Sequence, residues 1–289
     1  HWEAAEELSN EYLVGAYDLH VHTSPSPFKR RQDGLEVIKD ADAAGMAGVV
    51  LKSHYESAAA RAALINAYSG CQSKAYGGLA LNWPAGGLNV YSVENALKNG
   101  AKIIWMPTRD SANSLCFGNM QGDFFNRPGI SIWRDESKEA LKDEVFDIMD
   151  AVKKYDACLA TGHLSPEESI ALCRQGRSRD VRMVLTHPEF DRTWIDGAVQ
   201  SELAKIGVYL EKNWYDVAAG MVTAEEMVRN IRGAGSEWCF MASDRGQGNM
   251  PAAIPEFRRF IAVMFEAGIR PDEMNDLVRV TPCKVLFGK

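Results

Sequence analysis

Two histidines, His20 and His22, lie two positions apart in the apolar segment AYDLHVHT, residues 16–23. The segment is predicted to form a β-strand. Because alternate side chains of a strand point to the same face, both imidazoles would point in one direction, with Asp18 below them. Two imidazoles on one face suit a shared metal ion. Such a pair is also frequent by chance, so its meaning depends on the rest of the chain.

The other histidines, apart from His1, also fall at the carboxyl ends of predicted strands. His54 ends GVVLKSH, His163 ends ACLATGH, and His187 is the next-to-last residue of RMVLTHP. Asp244 ends the last predicted strand, EWCFMASD. Imidazole nitrogens and a carboxylate are the ligands that a borderline divalent metal such as zinc prefers. The pattern predicts a metal site built from residues that are far apart in sequence.

Short apolar segments alternate with amphipathic helical segments along the chain, which is typical of a parallel sheet built from βαβ units. The predicted strands are 16–23, 48–54, 77–83, 102–108, 157–163, 182–188, 207–213 and 237–244. Eight such units indicate a single-domain (β/α)8 TIM barrel over residues 1–289. An open doubly wound sheet is the alternative, but the chain has no GxGxxG fingerprint. In a barrel the strand ends meet at one face, so the predicted ligands would share one pocket.

The predicted helices follow the strands in turn. They are 34–46, 57–69, 92–100, 136–155, 165–176, 196–207, 223–235, 253–268 and 271–288. Ser165 is the predicted N-cap of its helix, with a proline at the first helical position and acidic residues in the first turn.

The segment 109–135 after the fourth predicted strand is too long for an ordinary βα loop and is rich in Gly, Asn and aromatic residues. Long loops in compact domains are often functional, and this one would lie over the carboxyl-terminal face of the barrel. Its aromatic residues Phe117, Phe124 and Phe125 are predicted to line the pocket and shape specificity. The sequence GISIWRD, 129–135, is expected to add a small edge strand.

Composition excludes several classes of function. The formal net charge of -7 and the hydrophobic fraction of 46% describe a mildly acidic globular protein without a basic surface for nucleic acid. No apolar run approaches the roughly 20 residues of a membrane span, and the first residues lack the apolar core of a signal peptide. The six cysteines form no CxxC pair, so a disulfide framework is not expected. A cytoplasmic protein is expected, and a homo-oligomer is compatible with these features.

The ordered set of His20, His22, His163, His187 and Asp244 resembles the amidohydrolase superfamily of metal-dependent (β/α)8 hydrolases. Their pattern is HxH on the first strand, single histidines on the fifth and sixth, and Asp on the eighth. The resemblance extends from about residue 16 to the end, and the phrases TGHLSPEE, LTHP and SDRGQ are most similar to an uncharacterised branch. It implies one or two divalent ions, with zinc as the first choice and manganese or iron as alternatives.

The sequence departs from that pattern at the fourth strand. Binuclear members carry a carboxylated Lys or a Glu on strand three or four, whereas this strand ends IIWMPT. Lys52 and His54 on the second predicted strand are the nearest substitutes. His54 is also similar to extra histidines of the polymerase and histidinol phosphatase family. The late DxH motif of that family is absent, because Asp244 is followed by Arg245 and Gly246.

The resemblance also implies roles for the site residues. Asp244 would take the proton of a metal-activated water and return it to the leaving group. His187, together with His163, would complete a second metal site or polarise the substrate carbonyl. Asp18 or a backbone carbonyl would fix the tautomer of a ligand histidine.

Four further charged residues are candidates for contact with a small-molecule substrate. Arg109 and Arg245 lie just beyond strand ends, where a guanidinium can hold a substrate carboxylate. Glu211 is predicted either to contact substrate or to form an ion pair with a neighbour. Lys52 is predicted to contact substrate, to be carbamylated, or to pair with a barrel carboxylate such as Asp18.

The expected function is metal-dependent hydrolysis of an amide, cyclic amide or ester-like bond in a small molecule. Phosphoester hydrolysis is an alternative that His54 alone favours. A decarboxylase or lyase on the same scaffold is a second alternative, because fold does not determine the reaction. The converging histidines argue against a metal-binding protein without catalytic activity.

Overall fold

The computed structural model describes residues 2–118 and 126–289. Eight parallel strands follow one another around the sheet in sequence order. They are β1 (Tyr17–His22), β2 (Gly48–Lys52), β3 (Lys74–Ala80), β4 (Ile103–Trp105), β5 (Cys158–Ala160), β6 (Arg182–Leu185), β7 (Val208–Asn213) and β8 (Cys239–Ala242). All eight predicted barrel strands are confirmed, although most end before the polar residues at their carboxyl ends.

The sheet closes on itself between β8 and β1. The amide of His22 donates a hydrogen bond of 2.8 Å to the carbonyl of Arg245, and Val21 and Arg245 form a parallel bridge. Gly246 follows with φ of +126°, and a Cβ there would overlap the carbonyl of His22. Only glycine tolerates this conformation and this close approach. The closed strand order with interleaved helices is the predicted (β/α)8 barrel.

Helices surround the barrel. They are α1 (Trp2–Leu13), α2 (Gly34–Ala43), α3 (Ala59–Tyr68), α4 (Val90–Lys98), α5 (Ala112–Phe117), α6 (Asp143–Lys154), α7 (Pro166–Ser178), α8 (Gly197–Lys205), α9 (Trp214–Ala218), α10 (Ala224–Ala234), α11 (Ala253–Glu266), α12 (Pro271–Asn275) and α13 (Thr281–Phe287). The predicted helix 271–288 is thus divided, with a π-helical turn at Asp276–Val280. Across the part of the chain that the structure describes, each helix is too short or too polar to cross a membrane.

Two apolar cores hold the strands in place. Side chains on one face of the strands, such as Leu159 and Leu210, pack against the helices. Side chains on the other face, such as Val50, Trp105 and Phe240, form a second cluster that joins nearly all of the strands. This second cluster fills the barrel below the strand ends, as in other eight-stranded barrels. The strand ends are therefore held by a packed interior.

The segment after β4 differs in part from its prediction. No strand forms over 129–135, where Ile130 and Trp133 make only isolated bridges, to Ser111 and Leu141. The carboxylate of Glu168 in α7 accepts a hydrogen bond of 2.8 Å from the amide of Ile132 and so takes the place of a strand partner. The same segment delays α6, which begins at Asp143 and not at 136.

The aromatic residues of this long segment are only partly described. Phe117 ends α5 and is 52% exposed. Phe124 and Phe125 lie outside the described residues. The predicted role of these rings in specificity stays a prediction.

Candidate metal centre

The carboxyl ends of β1, β6 and β8 bring three imidazoles to one carboxylate. The Nε2 atoms of His20 and His22 lie 3.1 Å and 3.0 Å from Oδ1 of Asp244. Nε2 of His187 lies 3.2 Å from Oδ2 of the same carboxylate. All four side chains are buried. The convergence of the strand ends at one face of the barrel therefore brings together four of the predicted ligands.

The donor set fits a divalent metal ion. The ligand atoms of His20, His22 and Asp244 lie within 4.8 Å of one another, and so do those of His20, His187 and Glu211. Nitrogen and oxygen donors of this kind are ligands of zinc and of similar first-row metals. The buried cluster of histidines and carboxylates is consistent with a divalent metal site.

Glu211 at the end of β7 orients the His20 imidazole. Its Oε1 lies 3.2 Å from Nδ1 of His20. The same oxygen accepts a hydrogen bond of 2.8 Å from the side-chain amide of Asn213. Burial alone would raise the pKa of Glu211, but His20 lowers it below its ordinary value. When Nδ1 of His20 donates to this carboxylate, Nε2 keeps its lone pair for a metal. Of the two alternatives for Glu211, the structure shows a pairing with a neighbouring residue, and the contact with substrate stays a prediction.

Asp18 contacts the backbone, whereas the resemblance implies that it would contact the ring of a ligand histidine. Its Oδ1 accepts hydrogen bonds from the amides of His20 at 3.2 Å and Ser243 at 3.0 Å, which ties β1 to the end of β8. Burial raises its pKa to about 7. Asp18 thus fixes the backbone near the site, while Glu211 contacts the ligand ring. The expected Lys52–Asp18 pair is not formed, since Nζ of Lys52 lies 3.0 Å from Nε2 of His20.

Protonation in the cluster follows from burial and charge. Burial lowers the pKa of His20 and holds that of His22 well below its ordinary value. Burial thus favours the neutral form of both rings, which is the form that binds a metal. Burial would raise the pKa of Asp244, but His20 and His187 hold it well below its usual range. Burial would lower the pKa of His187, yet Asp216 and Asp244 raise it to about 10.

The backbone turns sharply at two of the site residues. His187 and Asp244 have φ of +49° and +50°, in the left-handed region that residues other than glycine rarely adopt. The His187 ring is also held from behind, because its Nδ1 lies 3.3 Å from Asp216 and 2.7 Å from the Asn213 amide nitrogen. Strained conformations of this kind occur mostly at functional sites.

His163 and His54 reach the same pocket but lie outside both donor clusters. The ring of His163 is 5.6 Å from that of His187, and its Nδ1 has no hydrogen-bond partner among the described residues. Nδ1 of His54 lies 2.9 Å from Oγ1 of Thr108, and its ring is 4.7 Å from that of His22. Their assignment as metal ligands stays a prediction.

The two predicted substrate-binding arginines are placed differently. Arg109 lines the pocket, with its guanidinium carbon 4.5 Å from the centre of the Phe28 ring. The guanidinium of Arg245 instead donates two hydrogen bonds, of 3.0 Å and 2.9 Å, to Glu256 of α11. Arg245 and Glu211 are not among the described residues that line the pocket. The charge of Arg245 is thus neutralised by a buried carboxylate, and its contact with substrate stays a prediction.

The cavity above the cluster has a volume of about 360 Å³. Its lining includes Arg30, Arg192, Phe28, Phe190 and Tyr215, none of which the sequence pattern identified. The positions of Arg30 and Arg192 in the sequence could have indicated their place in the pocket. Arg30 follows the first predicted strand by a few residues and Arg192 follows the sixth, so both lie on loops at the carboxyl-terminal face of the barrel.

The model of a family of unknown function, DUF6282, matches residues 15–211. The chain belongs to this family. The matched residues include His20, His22 and His187, whereas Asp244 lies beyond them. No curated protein sequence matches the chain.

Solved structures with the same fold match the chain over nearly its full length. An amidohydrolase from Pseudomonas aeruginosa is similar with a TM-score of 0.65 and 12% identity, over 99% of each chain. An organophosphorus hydrolase from Deinococcus radiodurans gives 0.58 and 12%, over 94% of this chain and 92% of that one. A 2,6-dihydroxybenzoate decarboxylase from Rhizobium gives 0.53 and 10%, over 94% and 98%. These matches confirm the amidohydrolase-superfamily fold that the resemblance predicts.

Proposed function

We propose that the barrel acts as a single-domain, metal-dependent hydrolase that cleaves an amide, cyclic amide or ester-like bond in a small molecule. The convergence of His20, His22 and Asp244 at the carboxyl-terminal face carries this proposal, because their donor atoms lie within 4.8 Å of one another. Zinc is the first choice of metal, with manganese and iron as alternatives, since His-rich sites do not select one metal by affinity alone.

In this proposal, Nε2 of His20, Nε2 of His22 and one carboxylate oxygen of Asp244 hold the ion. A bound divalent ion supplies activation of water and polarisation of the substrate carbonyl. Asp244 accepts the proton during attack and delivers it to the leaving group, which a carboxylate beside the reacting atoms can do within one turnover. His187 lies 3.2 Å from Oδ2 of Asp244 and keeps that carboxylate oriented.

A decarboxylase is the second candidate. The 2,6-dihydroxybenzoate decarboxylase shares the fold, and the arginines that line this pocket suit a substrate carboxylate. Phosphoester hydrolysis has less support than these two reactions, because His54, the residue that favoured it, lies outside the donor clusters. The two remaining candidates differ in product, so a single assay can separate them.

The test begins with the metal content of protein purified without chelator, measured by elemental analysis. We expect near-stoichiometric metal in the wild type and in His54→Asn, and little metal in His22→Asn. The metal-loaded protein is then incubated with amides, lactones, phosphate esters and aromatic carboxylates. Hydrolysis products support the hydrolase, whereas release of carbon dioxide supports the decarboxylase. A chain that binds no metal after reconstitution with zinc, manganese or iron contradicts the proposal.

A further inference from the structure

The pocket above the metal centre has a strongly positive lining. The described lining residues carry five side chains of cationic type and one carboxylate, that of Asp244. The cationic side chains are Lys29, Arg30, Lys52, Arg109 and Arg192. Burial and the charge of Arg109 lower the pKa of Arg30 to about 10, although the charge of Asp244 acts to raise it. Like charges gathered in a partly buried cleft repel each other and attract anions, so this pocket favours a negatively charged ligand.

The guanidinium groups lie over two different aromatic rings of the pocket lining. Arg30 and Arg109 share the Phe28 ring, with their guanidinium carbons 5.5 Å and 4.5 Å from its centre. The Phe28 ring lies 6.1 Å from the ring of His54, beside the end of β2. Two cations at one place suit one acidic group of a ligand.

Arg192 lies over the second of these rings, that of Phe190. Its guanidinium carbon is 5.1 Å from the centre of the Phe190 ring, and that ring is 4.9 Å from the ring of His187, beside the end of β6. The loop that carries Arg192 is fixed, because Asn113 of α5 donates a hydrogen bond of 2.7 Å to the Arg192 carbonyl. Nε of Arg192 also lies 3.8 Å from Oδ1 of the exposed Asp191, so a second acidic group of a ligand would share this guanidinium with Asp191.

The space between the two positions is small and partly aromatic. Phe28, Phe190 and Tyr215 line a cavity of about 360 Å³. Rings of this kind favour a flat apolar body by stacking or edge contacts. A guanidinium lying on a ring is already ordered, so it loses less conformational entropy when it binds a planar carboxylate.

We propose that the substrate is a small dicarboxylate with a flat apolar body, one carboxylate held by Arg30 and Arg109 and the other by Arg192. This inference rests on the proposed function for the reacting bond, which would lie over the metal centre. The binding of the two carboxylates depends only on the arginines.

The experiment measures binding to the metal-loaded protein by calorimetry, without turnover. The probes are benzene-1,3-dicarboxylate, benzene-1,4-dicarboxylate, benzoate, benzene-1,3-dicarboxamide and phenyl phosphate. We expect at least one dicarboxylate to bind about tenfold or more tightly than benzoate, a difference of about 1.4 kcal/mol. The neutral diamide should not bind. Dicarboxylates that bind no better than the diamide overturn the inference, and so does tight phenyl phosphate binding without dicarboxylate binding.

The variants assign each carboxylate to its arginine. Arg192→Gln should weaken dicarboxylate binding to the affinity of benzoate. The double change Arg30→Gln with Arg109→Gln should do the same. Arg229→Gln, at an exposed position of α10, is the matched control and should bind as the wild type does. Dicarboxylate binding that is unchanged in both pocket variants overturns the inference.

Metal analysis of the same samples separates this inference from the proposed function. Protein that holds stoichiometric metal but does not bind the dicarboxylates refutes the inference and leaves the proposed function standing. Protein that takes up no metal but still binds a dicarboxylate through the arginines refutes the proposed function and supports the inference.

Discussion

The His20 imidazole lies between two carboxylates, with Nδ1 3.2 Å from Glu211 and Nε2 3.1 Å from Asp244. Glu211 is a positioning residue in the proposed site, because it touches the ligand ring and does not line the pocket. The change Glu211→Gln keeps the size of the side chain but removes the charge that holds the Nδ1 proton. Loss of such a partner lowers metal affinity by about 10–100-fold.

The measurement is the dissociation constant of zinc, from competition with a chromophoric chelator. At saturating metal, the rate on the eventual substrate should return close to that of the wild type. Glu139→Gln, at an exposed position, is the control and should keep wild-type affinity. Unchanged zinc affinity in Glu211→Gln would show that Nδ1 of His20 needs no carboxylate.

Asp244 is the proposed proton carrier as well as a ligand. The change Asp244→Asn keeps an oxygen donor and the side-chain size but removes the basic site. We expect a rate loss of about 10²–10⁴-fold, the usual contribution of general acid–base catalysis, with most of the metal retained. The check is kcat on the substrate found by the activity panel, beside the metal content. A wild-type rate would make His54 the first candidate for the base, since Glu211 contacts His20.

Residue types at strand ends predicted the site better than they predicted its surroundings. The convergence of His20, His22, His187 and Asp244 could be predicted from sequence, because parallel strands of a closed barrel present their carboxyl ends at one face. The orientation of Arg245 could not be assigned. Whether a guanidinium turns to the pocket or to a glutamate on a helix depends on packing that local sequence does not specify.

The short helix α5 holds two loops at the carboxyl-terminal face, those after β5 and β6. The side-chain amide of Asn113 donates hydrogen bonds to the carbonyls of His163 at 3.2 Å, Leu164 at 3.4 Å and Arg192 at 2.7 Å. Ser111 donates a further hydrogen bond of 2.8 Å to the His163 carbonyl. This part of the long segment after β4 therefore fixes the loops that follow β5 and β6.

Asn113→Ala should loosen both of those loops without touching the metal centre. Each lost hydrogen bond is worth about 0.5–1.5 kcal/mol, so we expect kcat/KM on the true substrate to fall by about tenfold. Metal content should not change. Asn99→Ala, at the exposed end of α4, is the control. Wild-type kcat/KM in Asn113→Ala would contradict the proposed role of α5.

Most of the regular elements could be predicted, but the helix α1 (Trp2–Leu13) was missed, and so were the irregular elements. The alternation of apolar strands and amphipathic helices predicted all eight strands and most of the outer helices. It predicted neither α5 nor α9, each of six residues or fewer, because such short helices depend on tertiary contacts. It placed a strand at 129–135, where the Glu168 carboxylate occupies the Ile132 amide that a neighbouring strand would need.

Across the whole barrel, the proposed ligands lie at its closing seam. β1 and β8 are joined near their ends by Asp18, which accepts hydrogen bonds from the amides of His20 and Ser243. His22 and Asp244 stand on the two sides of this seam, and their side chains approach to 3.0 Å. A metal held by both strands would therefore stabilise the folded barrel in addition to its part in catalysis.

Removal of the metal should lower the melting temperature. An ion that binds only the folded state, at a free concentration of about 100 times its dissociation constant, adds about 2.7 kcal/mol of stability. For a chain of 289 residues that corresponds to a rise of about 4–5 °C. The check is thermal unfolding before and after chelation and again after zinc is restored. His22→Asn should melt at the same temperature in all three states, whereas His54→Asn, changed outside the donor clusters, should respond as the wild type does. A wild-type melting temperature that does not respond to chelator or zinc would mean that no ion links β1 to β8.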